Sequence, residues 1–172
     1  MIAGYADDGE RDNARRAVRW TEAEGLRNLG TLNGGHYSMA TAVSADGRVI
    51  VGVATDGHAG EVLRAFVWRE ETGMCGLNGG LISRANAVST DGSVVVGVAS
   101  DGRAADEDRG FVWTAEGGMR TVEAWLYEHS LAAAAVPVVQ ATGVSADGQM
   151  LVGQLEGERA FVASVRPRWP LF

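Results

Sequence analysis

One order of apolar and polar positions recurs along the chain. Val43-Ser44-Ala45-Asp46-Gly47 returns as Val88-Ser89-Thr90-Asp91-Gly92 and again as Val144-Ser145-Ala146-Asp147-Gly148. A short apolar run ending in Gly follows each: Val49 to Gly52, Val94 to Gly97, Met150 to Gly153. Ile2-Ala3-Gly4 is the end of a further copy. Next comes Arg, a small residue, then alternating apolar positions up to Trp. This element reads Arg16-Ala17-Val18-Arg19-Trp20, Arg64-Ala65-Phe66-Val67-Trp68 and Arg109-Gly110-Phe111-Val112-Trp113. The last copy, Arg159-Ala160-Phe161-Val162-Ala163, lacks the Trp. A fourth element runs from Leu26 to Leu32 before Asn33-Gly34-Gly35, and from Met74 to Leu77 before Asn78-Gly79-Gly80.

The turn aspartates are spaced 91 − 46 = 45 and 147 − 91 = 56 residues apart. A period of that size with such internal agreement means that each unit solves one packing problem in one way. The pattern predicts four short strands per unit. Period-2 alternation punctuated by Asp-Gly and Asn-Gly-Gly marks hairpins, because Gly accepts positive φ and Asp bonds the nearby backbone. Four strands in about 40–50 residues is the size of a β-propeller blade. In the third unit the fourth element gives way to Thr121 to Ser130. Val122, Trp125, Leu126 and His129 fall there at helical spacing, with Thr121 placed to cap. A short helix is expected near 121–130, and Pro137 then restarts an extended strand.

Composition narrows the class. The chain has 172 residues, 46 % hydrophobic and 22 % charged, which argues for a folded core and against disorder. Gly numbers 24, about twice the usual ~7 %, as tight turns demand. All 15 basic residues are Arg, and the net charge of −7 argues against a nucleic-acid surface. Cys75 is the one cysteine, so there is no intrachain disulfide; it is expected as a small buried residue. No apolar run approaches the roughly 18 residues of a membrane helix, and the first residues carry no signal-peptide pattern.

Taken as a set, Ala-Val-Ser-Ala-Asp-Gly, Val-Val-Gly, Arg-Ala-Phe-Val-Trp, Gly-Gly-Met and Leu-Gly-Thr-Leu-x-Gly-Gly resemble the HAF-type extracellular repeats of bacteria. Those occur in predicted secreted proteins and autotransporter passenger regions. The resemblance covers Met1 to about Val165, and Cys75-Gly76 departs from it. It implies an extracellular or cell-surface location and a propeller-like β array. It implies no activity and no catalytic residues. The expected fold is all-β: an array of about three and a half four-stranded repeats with one inserted helix. The units run roughly 1–48, 49–93, 94–149 and 150–165, with a tail at 166–172. Half-units at the two ends are complementary, so the termini are expected to share one blade and close the ring. The count of about three and a half units otherwise leaves a fragment of a longer array, a homodimer that completes a ring, or an open or tightly closed sheet assembly.

Candidate sites lie at repeat positions. Asp46, Asp91 and Asp147, each followed by Gly47, Gly92 or Gly148, are expected to shape hairpins rather than to ligate or catalyse. Loops between the second and third strands are acidic, holding Asp7, Asp8, Glu10 and Asp12, then Asp56 and Glu61, then Asp101, Asp106, Glu107 and Asp108. Such a rim solubilises, binds a basic partner, or holds Ca²⁺ at Asp101, Asp106 and Asp108. Arg16, Arg64, Arg109 and Arg159 share one position. They either line a channel or serve structure, stacked on the Trp of their own strand or paired with a turn Asp. Trp20, Trp68 and Trp113 are expected between blades. No metal, cofactor or catalytic motif is present.

These features favour a non-enzymatic β-repeat module, structural or adhesive, that binds protein or glycan through rim loops. A hydrolase or lyase on a propeller scaffold is the alternative. It needs a unique constellation, and the residues that do not repeat (Glu123, Tyr127, Glu128 and His129) sit on the helix. A truncated repeat fragment without independent function is a third reading.

Overall fold

The computed structural model describes residues 1–7, 9, 14–60, 62–77, 82–100, 107–129 and 137–165. These form four antiparallel sheets, each a simple meander. The first holds β1 (Ile2–Asp7), β2 (Arg15–Thr21) and β3 (Gly25–Asn28). The second holds β4 (Ser38–Val43), β5 (Ile50–Asp56), β6 (Val62–Arg69) and β7 (Gly73–Gly76). The third holds β8 (Ser83–Val88), β9 (Val94–Ser100), β10 (Asp108–Thr114) and β11 (Gly118–Thr121). The fourth holds β12 (Val138–Val144), β13 (Met150–Leu155) and β14 (Ala160–Ser164). A single helix, α1 (Val122–Glu128), follows β11, and the Thr121 hydroxyl accepts from the Ala124 N–H at its start. The sheets and the repeat units are out of phase. Unit borders at 48/49, 93/94 and 149/150 fall between the first and second strands of a sheet, so the first strand of each comes from the unit before.

The Ser-x-Asp-Gly motif is the turn between first and second strands. The Ser44 hydroxyl donates to Asp46 Oδ1 (2.6 Å) and accepts from the Val49 N–H (3.0 Å). Asp46 Oδ1 also accepts from the Arg48 N–H, and Gly47 takes φ +76 to close the turn. Ser89 with Asp91, and Ser145 with Asp147, repeat this geometry. The Val-Gly motif has a different cause. The first strand is bulged between Ala40 and Ala42, between Ala85 and Ala87, and between Ala141 and Gly143. The bulge pushes its backbone over the glycine. A Cβ on Gly52 would lie 2.0 Å from the Met39 carbonyl and 2.9 Å from the Phe66 ring, and Gly97 and Gly153 are crowded in the same way.

Sheets stack in chain order. The first strand of each rests on the sheet before: β4 on β1 and β2, β8 on β5 and β6, β12 on β9 and β10. Alternation sends Ala65 and Val67 of β6 toward the third sheet and Phe66 and Trp68 toward the first. At the last junction α1 adds Val122, Trp125 and Leu126 beside Val138 and Leu151. Polar pins recur as well. Ser38 Oγ accepts from the Ala17 N–H and Ser83 Oγ from the Ala65 N–H, both at 2.9 Å. Thr41 donates to the Ala85 carbonyl (2.7 Å) and Asn86 to that of Ala141 (2.9 Å). The turns themselves are linked, Ala45 N–H to Thr90 O and Thr90 N–H to Ala146 O.

Two expectations are corrected. The termini do not share a blade: among the described residues β1 pairs only with β2 and β14 only with β13, so each end is a three-stranded sheet of its own. Cys75 is exposed, because β7 is an outer edge strand whose alternate side chains face solvent.

Candidate functional site

At the end where second strands turn into third strands, two clefts of about 350 and 460 Å³ adjoin, sharing Val53, Leu63 and Arg84. Together they form a groove that touches all four sheets. Arg15 of β2 stands at one end, Val139 and Gln140 of β12 at the other. One wall is the β3–β4 connection, fixed against β5. The Tyr37 N–H donates to Thr55 Oγ1 (3.0 Å) and the Thr55 N–H to the Tyr37 carbonyl (2.9 Å). Asn33 Nδ2 donates to Asp56 Oδ1 (2.8 Å) and the His58 N–H to the same oxygen (3.1 Å). The Asn33 amide, with the His58 N–H, holds the Asp56 carboxyl below the usual aspartate value. This rim acid therefore anchors a wall.

The groove lining mixes an apolar floor of Val53, Leu63 and Val98 with Arg15, Arg84, His36, Tyr37 and Asp108. Arg84 was not among the expected site residues. It stands where the other first strands carry Met39 and Gln140, and the variability of this one position between copies was the sequence signal that could have found it. Of the calcium candidates, Asp108 is exposed at the groove edge, and Asp101 and Asp106 lie outside the described residues. Of the other rim acids, Asp8, Glu10, Asp12 and Glu61 also lie outside them. No cluster of three or more metal-ligating side chains occurs among the described residues.

The repeated arginines begin the third strands, at the groove end. Arg16 donates to the His36 carbonyl, and Arg109 pairs with Glu107 and donates to the Asp108 carbonyl. Arg64 pairs across the ladder with Ala54, and Arg159 is exposed. The strand of Arg159 has no Trp, and Arg16, Arg64 and Arg109 are not placed to stack on their own strand's Trp, which lies four residues on at the far end. Arg19 and Arg27 of the neighbouring sheet do so instead, 5.0 and 6.0 Å over Trp68, while both pair with Glu70. Trp68 is buried, Trp113 partly buried, and Trp20 exposed on the outer face of the first sheet. Asp46, Asp91 and Asp147 lie at the opposite end, inside their turns. Ser44 and Ser89 hydroxyls, chiefly, hold the Asp46 and Asp91 carboxyls below the usual value.

That opposite end carries a second cleft, of about 760 Å³, between α1, two Ser-x-Asp-Gly turns and Arg69. Two of its lining side chains from α1 and its end are engaged. Glu128 pairs with Arg120, and His129 Nδ1 meets the Trp125 carbonyl at 2.8 Å. Glu123 Oε1 accepts from the Val138 N–H (2.7 Å), tying α1 to β12. Tyr127 is 78 % exposed.

No known family matches the chain, and no curated protein matches it. Among solved structures, TolB from Acinetobacter baumannii is similar, with a TM-score of 0.57 at 14 % identity. TolB is a β-propeller protein. The likeness covers 94 % of this chain and 37 % of the TolB chain, and it concerns the fold alone. In this chain the described sheets do not close into a ring. No helix among the described residues is long and apolar enough to cross a membrane.

Proposed function

We propose that this chain is a non-enzymatic β-repeat module, structural or adhesive, displayed outside the cell or on its surface. Its sheets act as blades of a propeller-like array, and its rim groove binds a protein or glycan. One observation carries the reading. The groove draws lining from all four sheets, and the first-strand position of Arg84 carries a different residue in each copy, Met39, Arg84 and Gln140, whereas the structural positions repeat. Repeated side chains build the stack, so residues that break the repeat at a concave surface are the ones free to recognise something. An apolar floor with arginine and tyrosine around it suits stacking on a sugar or anchoring an acidic or aromatic side chain. The location rests on the resemblance to HAF-type repeats. A hydrolase or lyase on this scaffold is the alternative; of the acids on α1, Glu128 pairs with Arg120, and Glu123 accepts from the Val138 N–H through Oε1 while its Oε2 is buried without a partner among the described residues.

The test is binding of the labelled chain to immobilised glycan and surface-protein panels, beside Arg84→Met and Leu63→Glu. Met is the second sheet's own residue at the Arg84 position, so that variant should fold. The expected result is a retained ligand whose affinity falls about tenfold or more in both variants, a loss of about 1.4 kcal/mol. Absence of any ligand, or binding indifferent to both changes, overturns the proposal.

A further inference from the structure

The rim groove carries its charge unevenly. Its wider cleft, of about 460 Å³, is lined by Arg15, His36 and Arg84, and no carboxylate lines it among the described residues. The adjoining cleft, of about 350 Å³, has Asp108 and Gln140 beside Arg84. The wider cleft thus concentrates cations in a chain whose net charge is −7. Its two arginines stand differently. Arg15 lies 5.0 Å over the Tyr5 ring, which holds its guanidinium in place. Arg84 is exposed and lines both clefts, and its guanidinium makes no hydrogen bond, ion pair or ring contact among the described residues. Other arginines at this end are engaged: Arg16 donates to the His36 carbonyl and Arg109 pairs with Glu107. A planar guanidinium fork matches a carboxylate through two parallel bonds. The floor common to both clefts is Val53 and Leu63, which suits an aliphatic or aromatic side chain better than a hydroxyl-covered sugar.

We infer that the partner of this groove is a protein segment in which an Asp or Glu stands next to an apolar side chain. The carboxylate seats in the wider cleft on the Arg84 fork, with Arg15 adding charge, and the apolar neighbour lies on Val53 and Leu63. Asp108 repels a second carboxylate in the narrower cleft, so the segment runs with its acid toward β2 and its uncharged end toward β12. This rests on the groove reading above and adds to it the chemistry of the partner.

The probe is an array of short immobilised peptides, each pairing one Asp or Glu with aliphatic or aromatic neighbours and spotted beside its Asn or Gln twin. The labelled full chain is applied to it, and to oligogalacturonate as an acidic glycan. Acidic peptides should be bound at least about tenfold more tightly than their amide twins, and less tightly as salt rises. Arg84→Met and Arg84→Lys should keep the wild-type circular dichroism and melting temperature, because the guanidinium bonds nothing among the described residues. Binding should fall at least about tenfold in Arg84→Met and by less in Arg84→Lys, which keeps the charge without the fork. Equal binding of acid and amide twins, or unchanged binding by Arg84→Met, overturns the inference; loss of that binding in Leu63→Glu would still leave the groove reading standing. Retention by oligogalacturonate and by no peptide likewise overturns the inference alone. Absence of binding to every peptide and glycan overturns both.

Discussion

A serine hydroxyl two residues before each turn aspartate carries much of the turn. Ser89 is buried, donates to Asp91 and accepts from the Val94 N–H. Removing it in Ser89→Ala strands that N–H, and urea unfolding should show a loss of about 1–3 kcal/mol. The aspartates add a pH dependence. Hydroxyl bonds to the charged form put the folded pKa of Asp46 and Asp91 below the ordinary 3.8. Their contribution is therefore present above that value and is lost as the pH falls through the lower folded one. Urea midpoints should decline below about pH 4, and the decline should be shallower in Ser89→Ala. An acid limb identical in the two proteins would contradict this role. The turn was legible because Asp-Gly is a local signal. The partners of the repeated arginines were not, since the side chains that occupy Trp68 come from another sheet.

At the level of strands and helices, packing follows position in the stack more than residue type. Val67 and Val162 are repeat counterparts, yet Val67 is 5 % exposed between sheets and Val162 is 68 % exposed on the last one. Val67→Asp should cost about 3–5 kcal/mol, as for a buried charge without a partner. By contrast, Val162→Asp should stay within about 0.5 kcal/mol. Gly97→Ala drives a methyl into the Arg84 carbonyl and the Phe111 ring, and should lower stability by about 1–3 kcal/mol. Thermal melts of the three variants read all of this. The helix could be read in advance because its apolar spacing and Thr121 cap lie within ten residues. The phase of the sheets could not, because a meander repeats equally well from any starting strand. Cys75 was misplaced for a related reason: alternation does not say which strand is the edge.

For the whole molecule, fourteen strands among the described residues make three and a half sets of four, as the repeat count implied, but they divide three, four, four and three. Strand number is written in local motifs. Whether the ends of the stack meet depends on how each sheet twists on the next, which no short motif encodes. The groove was legible only as a rim, because its floor joins residues from four sheets that are far apart in the chain. Amide hydrogen exchange resolved by residue tests this open stack most directly. In β5 and β9, with neighbours on both sides, protection should run along every amide. In β1 it should alternate, with amides turned away from β2 exchanging fast. Protection along all of β1 equal to that of β5 would mean that its edge is covered in the isolated chain, and would contradict the account.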